Sequence, residues 1–402
     1  MVDVLISGGG IAGSALAILL GRGGLSVELF EREIFPREKP CGEGLMPAGV
    51  AVLERLGLTR VAGGAPFQGV RYRLNGRCVE APFPRVNGRS LDGRGVRRKH
   101  LDHLLFQTAA ETSGVRAYAG ACVERPIREN GCVAGVIVNG EPRRAKLVVA
   151  ADGVHSRIRR DLALNVSPSR KRMGIRVHYR LACGREQGCW VDVALRRGCE
   201  LYVTPLADAE ILIAALTNVH GCGEPIYKTF RRWILVEPFL AQLLEGAEQI
   251  SEPACASWPV SSGRFKSIPG VALLGDAAGS IDPISGGGMT HALLTAELLA
   301  THIQNGIESG EEWMSNFERE RRRLLAGFRR LTQVLLWLAV YPGAASQILT
   351  AAGKFPSVMS YFAGVAGGVS RLSGTRKARK SLHFDAEGLQ QLRSLSRREM
   401  RS

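Results

Sequence analysis

Apolar and glycine-rich segments alternate at the start of the chain. Val2–Ser7 is a short apolar run, long enough for one buried parallel strand, and a glycine-rich run, Gly8–Gly13, follows it directly. The Ala/Leu-rich segment Ser14–Leu20 predicts a helix, and Ser26–Phe30 predicts a second strand that runs into Glu31. The pattern therefore predicts a β-α-β unit of a parallel sheet and an α/β fold class.

The hydrophobic periodicity changes to two between residues 173 and 218. Four successive segments in this region predict antiparallel strands joined by short turns. Residues 70–84 also alternate and predict a hairpin that joins these strands in a second sheet. One face of this sheet is expected to cover the first domain, and the other face to be either open or covered by helices.

Further apolar and amphipathic segments predict the remaining elements. Helices are predicted at 48–56, 96–112, 225–235, 237–245, 290–304 and 311–341. Strands are predicted at 115–119, 121–127, 132–138, 146–151, 254–260 and 271–274. At 402 residues the chain is too long for one compact core. The first domain is predicted to comprise 1–69, 96–165 and 255–310, the second domain to comprise 70–95 and 166–254, and 311–402 to form C-terminal helices with a basic tail.

The C-terminal region has an apolar window, residues 334–353, about as long as a membrane span. Pro342-Gly343 interrupts this window and Gln347 lies inside it, so two packed helices are favoured over a span. Basic segments flank the apolar helices on both sides. We expect residues 331–372 to form a lid over an apolar substrate pocket, and this lid to rest on an anionic membrane surface.

The formal net charge is +16, and much of it lies near the C-terminus, in 319–330, 376–380 and 397–401. One explanation is a solvated surface, and another is attraction to anionic lipid or to an anionic cofactor. Nucleic acid is disfavoured as a partner, because no recognised binding module accompanies the charge.

The nine cysteines are scattered, with no CxxC pair. The N-terminus lacks the basic segment of a secretory signal and has Asp3 there instead. Both observations favour reduced thiols in a cytoplasmic protein, with neither a disulfide framework nor a zinc site.

The run from Gly8 to Gly13 fits G-x-G-x-x-G and carries the first candidate chemistry. Gly8 permits the tight turn, Gly10 lets backbone amides approach a pyrophosphate, and Gly13 lets helix and strand pack closely. Glu31 stands where an acid can accept a hydrogen bond from a ribose hydroxyl. The alternative is a glycine-rich turn without a ligand, but the strand before it and the helix after it favour dinucleotide binding.

Two further loops follow predicted strands. Residues 35–47 form a loop with prolines and glycines after the second strand, near the carboxyl ends of the strands, where an α/β sheet binds its ligand. Residues 275–289 are a second glycine-rich loop before a helix, suited to a phosphate or to an anionic ring edge.

These motifs resemble those of the two-domain flavoproteins of the p-hydroxybenzoate hydroxylase type. The matching elements are Gly8–Gly13 with Glu31 (ADP-binding fingerprint), Asp152-Gly153 with Ser156 and Arg159 ("DG" motif), Gly275–Ala278 with Asp282-Pro283 and Gly286–Met289 ("GD" motif), and Arg98 before Leu101-Asp102 (the family's arginine helix). The resemblance implies a Rossmann-like FAD-binding domain and a second, antiparallel-sheet substrate domain.

The resemblance also implies how FAD is held. The first loop would bind the pyrophosphate, Glu31 with Arg32 the adenosine ribose, Asp276 the ribitol, and the Gly286–Met289 amides the pyrimidine end of the flavin. Arg98 would contact pyrophosphate or ribitol, and the Val123 backbone would lie beside adenine. The residues so assigned are Gly8, Gly10, Ile11, Ala12, Gly13, Ser14, Glu31, Arg32, Cys41, Gly42, Glu43, Gly44, Arg98, Val123, Asp152, Gly153, Gly275, Asp276, Pro283, Gly286, Gly287, Gly288 and Met289. For Asp152, a simple helix cap is the alternative.

Lys39-Pro40-Cys41-Gly42 and Asp282-Pro283 are similar to the geranylgeranyl reductase-like branch of this superfamily. Members of that branch hydroxylate phenolic polyketide lipids of bacterial secondary metabolism, reduce isoprenoid double bonds, or are related to halogenases. The segment at Trp258 lacks the halogenase motif, and Leu201–Leu206 keeps the tyrosine and proline of the reductase motif but not its other residues.

Neither a Ser-His-Asp constellation nor a metal-ligand spacing is found, and the pair His100 and His103 is better explained as a solvated helix face. The chemistry is therefore expected from the flavin.

The resemblance implies a monooxygenase that uses NAD(P)H and O2 through a flavin C4a-hydroperoxide to hydroxylate a hydrophobic aromatic or polyketide-type small molecule. The alternative is reduction of isoprenoid double bonds. Tyr202, His178 and Trp190 are candidates for the substrate wall, ordinary sheet packing being the other explanation, and Cys41 is expected near the flavin.

Overall fold

The structure is a computed structural model that describes residues 1–58, 63–74, 76–85, 88–164, 167–185, 187–196, 198–218, 225–262, 268–306 and 312–370. Met1–Ser370 form one compact unit. The basic tail predicted at 376–380 and 397–401 lies outside the described residues.

The described residues form eighteen strands and ten α-helices. The strands are β1 Val2–Ser7, β2 Val27–Glu31, β3 Gly44–Leu45, β4 Ala65–Phe67, β5 Gly69–Leu74, β6 Arg77–Pro82, β7 Gly93–Gly95, β8 Val115–Ala119, β9 Val123–Glu129, β10 Cys132–Val138, β11 Glu141–Ala150, β12 Ser167–Arg180, β13 Val191–Arg196, β14 Cys199–Pro205, β15 Glu210–Thr217, β16 Glu248–Gln249, β17 Ala254–Ser262 and β18 Val271–Leu273. The α-helices are α1 Ile11–Arg22, α2 Pro47–Arg55, α3 Arg98–Glu111, α4 Arg157–Asp161, α5 Ile226–Leu235, α6 Pro238–Leu243, α7 Gly288–Gly306, α8 Glu312–Val340, α9 Pro342–Gly353 and α10 Pro356–Ala366.

The first sheet has the predicted parallel core. Its strand order is β8-β2-β1-β11-β10-β9, and β18 also pairs with β11. The pairs of β1 with β2 and β11, of β2 with β8, and of β11 with β18 are parallel, whereas β10 pairs antiparallel with β9 and β11. β1, β2 and β18 are buried over almost their whole length, as expected of strands covered on both faces, whereas the edge strand β8 is partly exposed. This arrangement confirms the predicted α/β class.

The second sheet is also confirmed. Its order is β16-β12-β15-β14-β13-β5-β6, with β17 also paired to β12. Buried side chains such as Val177, Leu201 and Ile213 project from one face and pack against Phe230 of α5 and Leu240 of α6. Of the two alternatives for this face, covering by helices is therefore the one found.

The second sheet extends beyond the region predicted for it. β17 pairs antiparallel with β12 from Ser167↔Ser262 to Arg176↔Ala254, so this strand lies in the second sheet and not in the third part of the first domain. A small third sheet, β3-β7-β4, was not predicted. Strands of two or three residues are too short to show a period of two in the sequence.

The C-terminal helices break where the prolines stand. α8 ends at Val340 and α9 begins at Pro342, as Pro342-Gly343 predicted. Within the described residues, we find no helix that is both long and apolar enough to cross a membrane. α9 and α10 pack instead on the β5–β6 hairpin and α2: Arg77 donates to Thr350 Oγ1 at 2.9 Å, and the Ala48 amide donates to the Gly367 carbonyl at 2.9 Å.

Candidate functional site

Three of the sequence motifs begin at one edge of the first sheet. Ser7 of β1 is in register with Phe30 of β2 and with Ala150 of β11, and Ala150 is in register with Leu273 of β18. Because these strands are parallel, the segments that follow them leave the sheet side by side. The register therefore brings together the three loops that the sequence separates by more than a hundred residues each.

The glycines of the first loop have different surroundings. Gly8 has φ +107°, and a Cβ there would lie 2.4 Å from the Ala151 carbonyl oxygen. A Cβ on Gly13 would lie 1.9 Å from the Gly8 carbonyl oxygen. At Gly10 the nearest atom to an added Cβ is Arg37 Nη2, at 3.7 Å. Gly8 and Gly13 are thus required by packing, whereas Gly10 borders open space at the N-terminus of α1, which fits a pyrophosphate.

Glu31 is buried and fixes this loop. Its Oε2 accepts a hydrogen bond from the Gly9 amide at 2.9 Å, and its Oε1 accepts one from the Glu33 amide at 3.1 Å. The Glu31 carbonyl also accepts from the Ala121 amide at 2.9 Å, which brings the start of β9, with Val123, to the end of β2. Arg32 is 68% exposed and pairs with Glu33. The predicted ribose contacts of Glu31 and Arg32 stay predictions.

The Arg98 side chain forms an ion pair with a residue of its own helix. Its Nε and Nη2 donate to the two oxygens of Asp102, each at 2.7 Å, in a buried bidentate pair. Burial alone would raise the pKa of Asp102, but Arg98 outweighs it and holds that pKa below its usual range. Arg37 Nη1 adds a contact to the same carboxylate at 3.1 Å. Since Arg37 also borders Gly10, it is a cation at the first loop that the sequence analysis did not identify.

Lys39, named above in a family motif but not assigned to cofactor binding, is a second cation in the loop after β2. Burial, and then Arg98, lower the pKa of its ammonium, while Asp276 and Asp102 oppose the shift. Its neighbours thus come from the arginine helix and from the loop after β18. A signal for both Arg37 and Lys39 was available, because they lie in the loop that follows β2, where a ligand is expected.

The loop after β11, which carries the "DG" motif, also caps the N-terminus of α4. Asp152 Oδ2 accepts from the Arg157 amide at 2.9 Å, and Ser156 Oγ accepts from the Arg159 amide at 3.1 Å at the start of α4. Asp152 Oδ1 is buried with no hydrogen-bond partner among the described residues, and burial raises the pKa of this carboxyl. Capping therefore uses only one oxygen of Asp152, and the other is left for a ligand or a proton.

Arg159 links this loop to the next one. Its guanidinium donates to the Val154 carbonyl at 2.7 Å and to the Ala277 carbonyl at 3.0 Å. Asp276 stands on a 3₁₀ turn, Gly275–Ala278, and is exposed while Ala277 and Ala278 are buried. An Asp held with its carboxylate outward on a rigid turn fits the predicted ribitol contact.

The second glycine-rich loop leads into α7. Gly286 has φ +69°, a left-handed conformation that glycine tolerates without strain, and α7 begins at Gly288. A Cβ on Gly288 would meet nothing within 4 Å. The first amides of a helix have no partner within the helix, so this terminus can bind an electronegative ring edge.

The loop between Cys41 and Gly44 joins the arginine helix to the second sheet. Glu43 is buried with φ +56°, and its Oε1 accepts from the Arg98 amide at 2.9 Å. Its Oε2 lies 2.8 Å from His178 Nε2. The Glu43 amide contacts Cys41 Sγ at 3.4 Å, and Thr204 Oγ1 donates to the Gly42 carbonyl at 2.8 Å.

The tautomer of His178 follows from its partners. His178 Nδ1 lies 2.9 Å from Arg176 Nη1, and a guanidinium can only donate. Nδ1 is therefore the acceptor, and Nε2 carries the proton that is donated to Glu43. The structure places His178 in a buried bridge, whereas its predicted role in the substrate wall rests on the sequence alone.

Arg172, Arg176 and His178 form a polar row on β12. Their side chains project from the face opposite α5 and α6, and each one contacts a carboxylate: Arg172 contacts Glu200 and Asp282, Arg176 contacts Glu38, and His178 contacts Glu43. Glu38, Glu43 and Asp282 belong to the loops after β2 and β18. The row therefore fixes both loops to the second sheet.

Tyr202 and Trp190, the other two substrate-wall candidates, contact different parts of the fold. Tyr202 of β14 donates to the Ile284 carbonyl at 3.2 Å, and burial raises the pKa of its phenol well above the usual value. Tyr202 is thus adjacent to the loop before α7. Trp190 precedes β13 and lies against Arg71, with 5.9 Å between guanidinium carbon and ring centroid. The Trp190 ring thus packs on the hairpin strand β5, where a Cβ on Gly69 would lie 2.8 Å from it.

Comparison with known proteins identifies the family of the chain. Residues 1–207 match the family model described as "FAD binding domain". The chain is 28% identical to a menaquinone reductase of Mycolicibacterium smegmatis, over 83% of this chain and 84% of that protein. It is 26% identical to the squalene epoxidase erg1 of Schizosaccharomyces pombe, over 75% of this chain and 69% of that protein.

Solved structures share the fold. A geranylgeranyl bacteriochlorophyll reductase-like protein from Thermoplasma acidophilum superposes with a TM-score of 0.74 at 22% identity, covering 90% of this chain and 99% of that one. A probable FAD-dependent monooxygenase from Pseudomonas aeruginosa superposes with a TM-score of 0.69 at 21% identity, covering 87% of this chain and 99% of that one.

Proposed function

Because the chain belongs to the FAD binding domain family and is an FAD-dependent oxidoreductase, we propose that it is a monooxygenase that takes electrons from NAD(P)H and hydroxylates a hydrophobic aromatic or polyketide-type small molecule. In the reaction, two electrons come from NAD(P)H, one atom of O2 enters the substrate, and the other leaves as water. The observation that carries the proposal is the open cradle at Gly10, together with the exposed carboxylate of Asp276 on the loop after β18.

Bound FAD supplies the redox chemistry, and the chain binds and orients it. The Gly10 amide and the N-terminus of α1 would hold the pyrophosphate, with Arg37 as the nearby cation. Asp276 would hold the ribitol, and the amides at Gly286–Met289 would meet the pyrimidine edge. The loops at Gly10 and Asp276 follow β1 and β18, which both pair with β11 in one sheet, and this supports a single elongated site.

The substrate is proposed to lie between the polar row on β12 and the C-terminal helices. Tyr202, at the Ile284 carbonyl, would form part of its wall. The C-terminal helices close over the hairpin, where a Cβ on Gly353 of α9 would lie 2.9 Å from a Val79 methyl group. Leu349, Tyr72 and Leu74 line a small cavity at the same place, together with Arg77, Ser346 and Thr350.

Reduction of an isoprenoid double bond is the second candidate. The match to the menaquinone reductase of Mycolicibacterium smegmatis, over 83% of this chain, favours it. The two reactions leave different products: a reductase adds two hydrogens, whereas a monooxygenase adds one oxygen atom.

One experiment separates the two candidates. The FAD-loaded protein is incubated with NADPH under ¹⁸O2 with a menaquinone or with a long-chain alkylresorcinol, and the products are analysed by mass spectrometry. We expect ¹⁸O in the alkylresorcinol product and a transient absorbance, distinct from oxidised and reduced flavin, when the reduced protein meets O2. A menaquinone product that carries two more hydrogens in its isoprenoid chain, located by fragmentation, and no ¹⁸O, together with reduced protein that reoxidises without a transient, would establish the reductase instead.

We also propose a peripheral contact with anionic membranes through α8. Six exposed residues at helical spacing form one stripe, five of them on this helix and the last directly after it: Arg319, Arg323, Arg330, Val334, Trp337 and Tyr341. The stripe is basic in its first half and apolar in its second half, and Trp337 and Tyr341 lie with ring centroids 5.3 Å apart. Basic residues beside exposed aromatic residues suit a lipid interface.

A further inference from the structure

Arg172 is the most enclosed member of the polar row on β12. It is 1% exposed and lies between two carboxylates that come from different parts of the fold. Its Nη2 donates to Glu200 of β14, its Nη1 donates to Asn218 Oδ1 at 2.7 Å, and its Nε lies 3.4 Å from Asp282 Oδ2. A buried guanidinium held in this way fixes the relative positions of its partners, because removing any one of them leaves a buried charge unpaired.

Asp282 connects Arg172 to the loop before α7. Its Oδ1 accepts from the Ile284 amide at 3.1 Å and so caps the 3₁₀ turn Pro283–Ser285, which runs directly into Gly286–Gly288. Tyr202 holds the same turn by its hydrogen bond to the Ile284 carbonyl. The second sheet therefore anchors the loop through Asp282 as well as through Tyr202.

Glu200 and Asp282 share the charge of Arg172, since they contact different nitrogens of its guanidinium. Glu200 is 4% exposed, and burial raises the pKa of its carboxyl to about 7, with Arg172 acting in the opposite direction. The other groups that face it are Asp282 from the loop, Arg170 from β12, and Tyr202 and Cys199 on its own strand.

The balance of charge changes as Glu200 ionises. Because its pKa in the folded protein is raised, the carboxyl is neutral below that pKa and anionic above it. When it is neutral, Asp282 is the sole acidic partner of Arg172 in this cluster. When it is anionic, Arg172 is shared between two carboxylates.

We propose that Arg172 is a positioning residue for the flavin ring: through Asp282 it holds the loop Pro283–Gly288 on the second sheet, and the charge of Glu200 sets how strongly it does so. This inference rests on the proposed placement of the flavin ring at that loop. Arg172 and Glu200 are not catalytic residues, since both act through Asp282.

The test uses the visible circular dichroism of oxidised FAD bound to the full chain, recorded from about pH 5.5 to 8.5, where the free oxidised ring does not titrate. The wild type is expected to show a transition of one proton near neutral pH. Glu200→Gln should abolish the transition, because glutamine stays neutral. Arg172→Met should also abolish it and alter the flavin spectrum throughout the range.

Arg180→Met is the matched control. Arg180 lies on the same strand, is 53% exposed, and pairs with Glu210 at 3.2 Å, away from Asp282. This variant should keep the wild-type transition. A wild type without the transition, or Glu200→Gln with an unchanged one, would overturn the inference even if Arg172→Met failed to fold. A wild-type protein that bound no FAD would contradict the proposed function instead.

Discussion

At the scale of single residues, the structure separates positions that hold the fold from positions that face a ligand. Gly13 has no room for a side chain, whereas Gly10 has φ −75° and room for one. Asp102 is buried and paired with Arg98, whereas Asp276 is exposed on its turn. A functional position can therefore be recognised as one where the residue type is required neither by packing nor by backbone conformation.

Asp276→Ala should weaken FAD binding without destabilising the fold. The exposed carboxylate would lose hydrogen bonds to the ribitol, a loss of about 1–3 kcal/mol, and about 1.4 kcal/mol corresponds to a tenfold change in Kd. The Kd is measured by titrating apoprotein with FAD and following flavin fluorescence, and the melting temperature of the apoprotein is measured alongside.

Asp161→Ala serves as its control, because Asp161 is an exposed acid at the end of α4. This variant should bind FAD as the wild type does. If Asp276→Ala also bound FAD with unchanged affinity, the assignment of the loop after β18 to the ribitol would be wrong.

Residues within a local motif could be predicted from the sequence, and long-range partners could not. Gly8, Gly13 and Glu31 were expected at the first loop because strand, turn and helix follow each other in the chain. The contact of Glu43 with His178 joins residues 135 apart, and that of Arg176 with Glu38 joins residues 138 apart. Such pairs depend on how two sheets pack, which no local pattern encodes.

At the scale of elements, long apolar or alternating segments were predicted with the correct type. β1, β11 and β18 were expected from short apolar runs, and their register places the motif loops at one edge. β12 begins at Ser167, whereas the sequence predicted a strand from residue 173. The first half of β12 was missed because it is basic and polar. Pairing with β17, and not a hydrophobic pattern, defines this part of the strand.

The exposed stripe on α8 should bind anionic vesicles in a salt-dependent manner. Each basic residue near such a surface contributes about 1 kcal/mol, and salt screens this attraction. Co-sedimentation is measured with vesicles of anionic and of neutral lipid, at low and at high salt. We expect the wild type to bind anionic vesicles at low salt and to be released at high salt.

Two variants separate the halves of the stripe. Replacing Arg319, Arg323 and Arg330 together by Gln should weaken binding to anionic vesicles, and Trp337→Ala should weaken what remains at intermediate salt. Arg116→Gln is the control, since it removes an exposed arginine from β8. Equal sedimentation with anionic and neutral vesicles would contradict the electrostatic part of the proposal, and no sedimentation at either salt would refute the membrane contact.

At the scale of the whole molecule, the second sheet is joined to the loops after β2 and β18 through the polar row on β12. Loss of one partner of a buried ion pair costs about 3–5 kcal/mol, so the pairing of buried Arg172 with buried Asp282 holds the loop after β18 firmly against β12. The sequence predicted both sheets and the identity of the cofactor by family resemblance. The way the sheets are joined became visible in the structure alone.

The central claim is that the cradle between β1 and α1 binds FAD. The most direct measurement is the FAD retained per chain after apoprotein is loaded and desalted, compared for the wild type, Gly10→Val and Gly343→Val. A Cβ at Gly343 meets nothing within 4 Å, so this control adds the same side chain away from the cradle. We expect one FAD per chain in the wild type and in Gly343→Val, and none in Gly10→Val, with all three proteins folded. A folded wild type that retained no FAD, or Gly10→Val that retained as much as the wild type, would contradict the account.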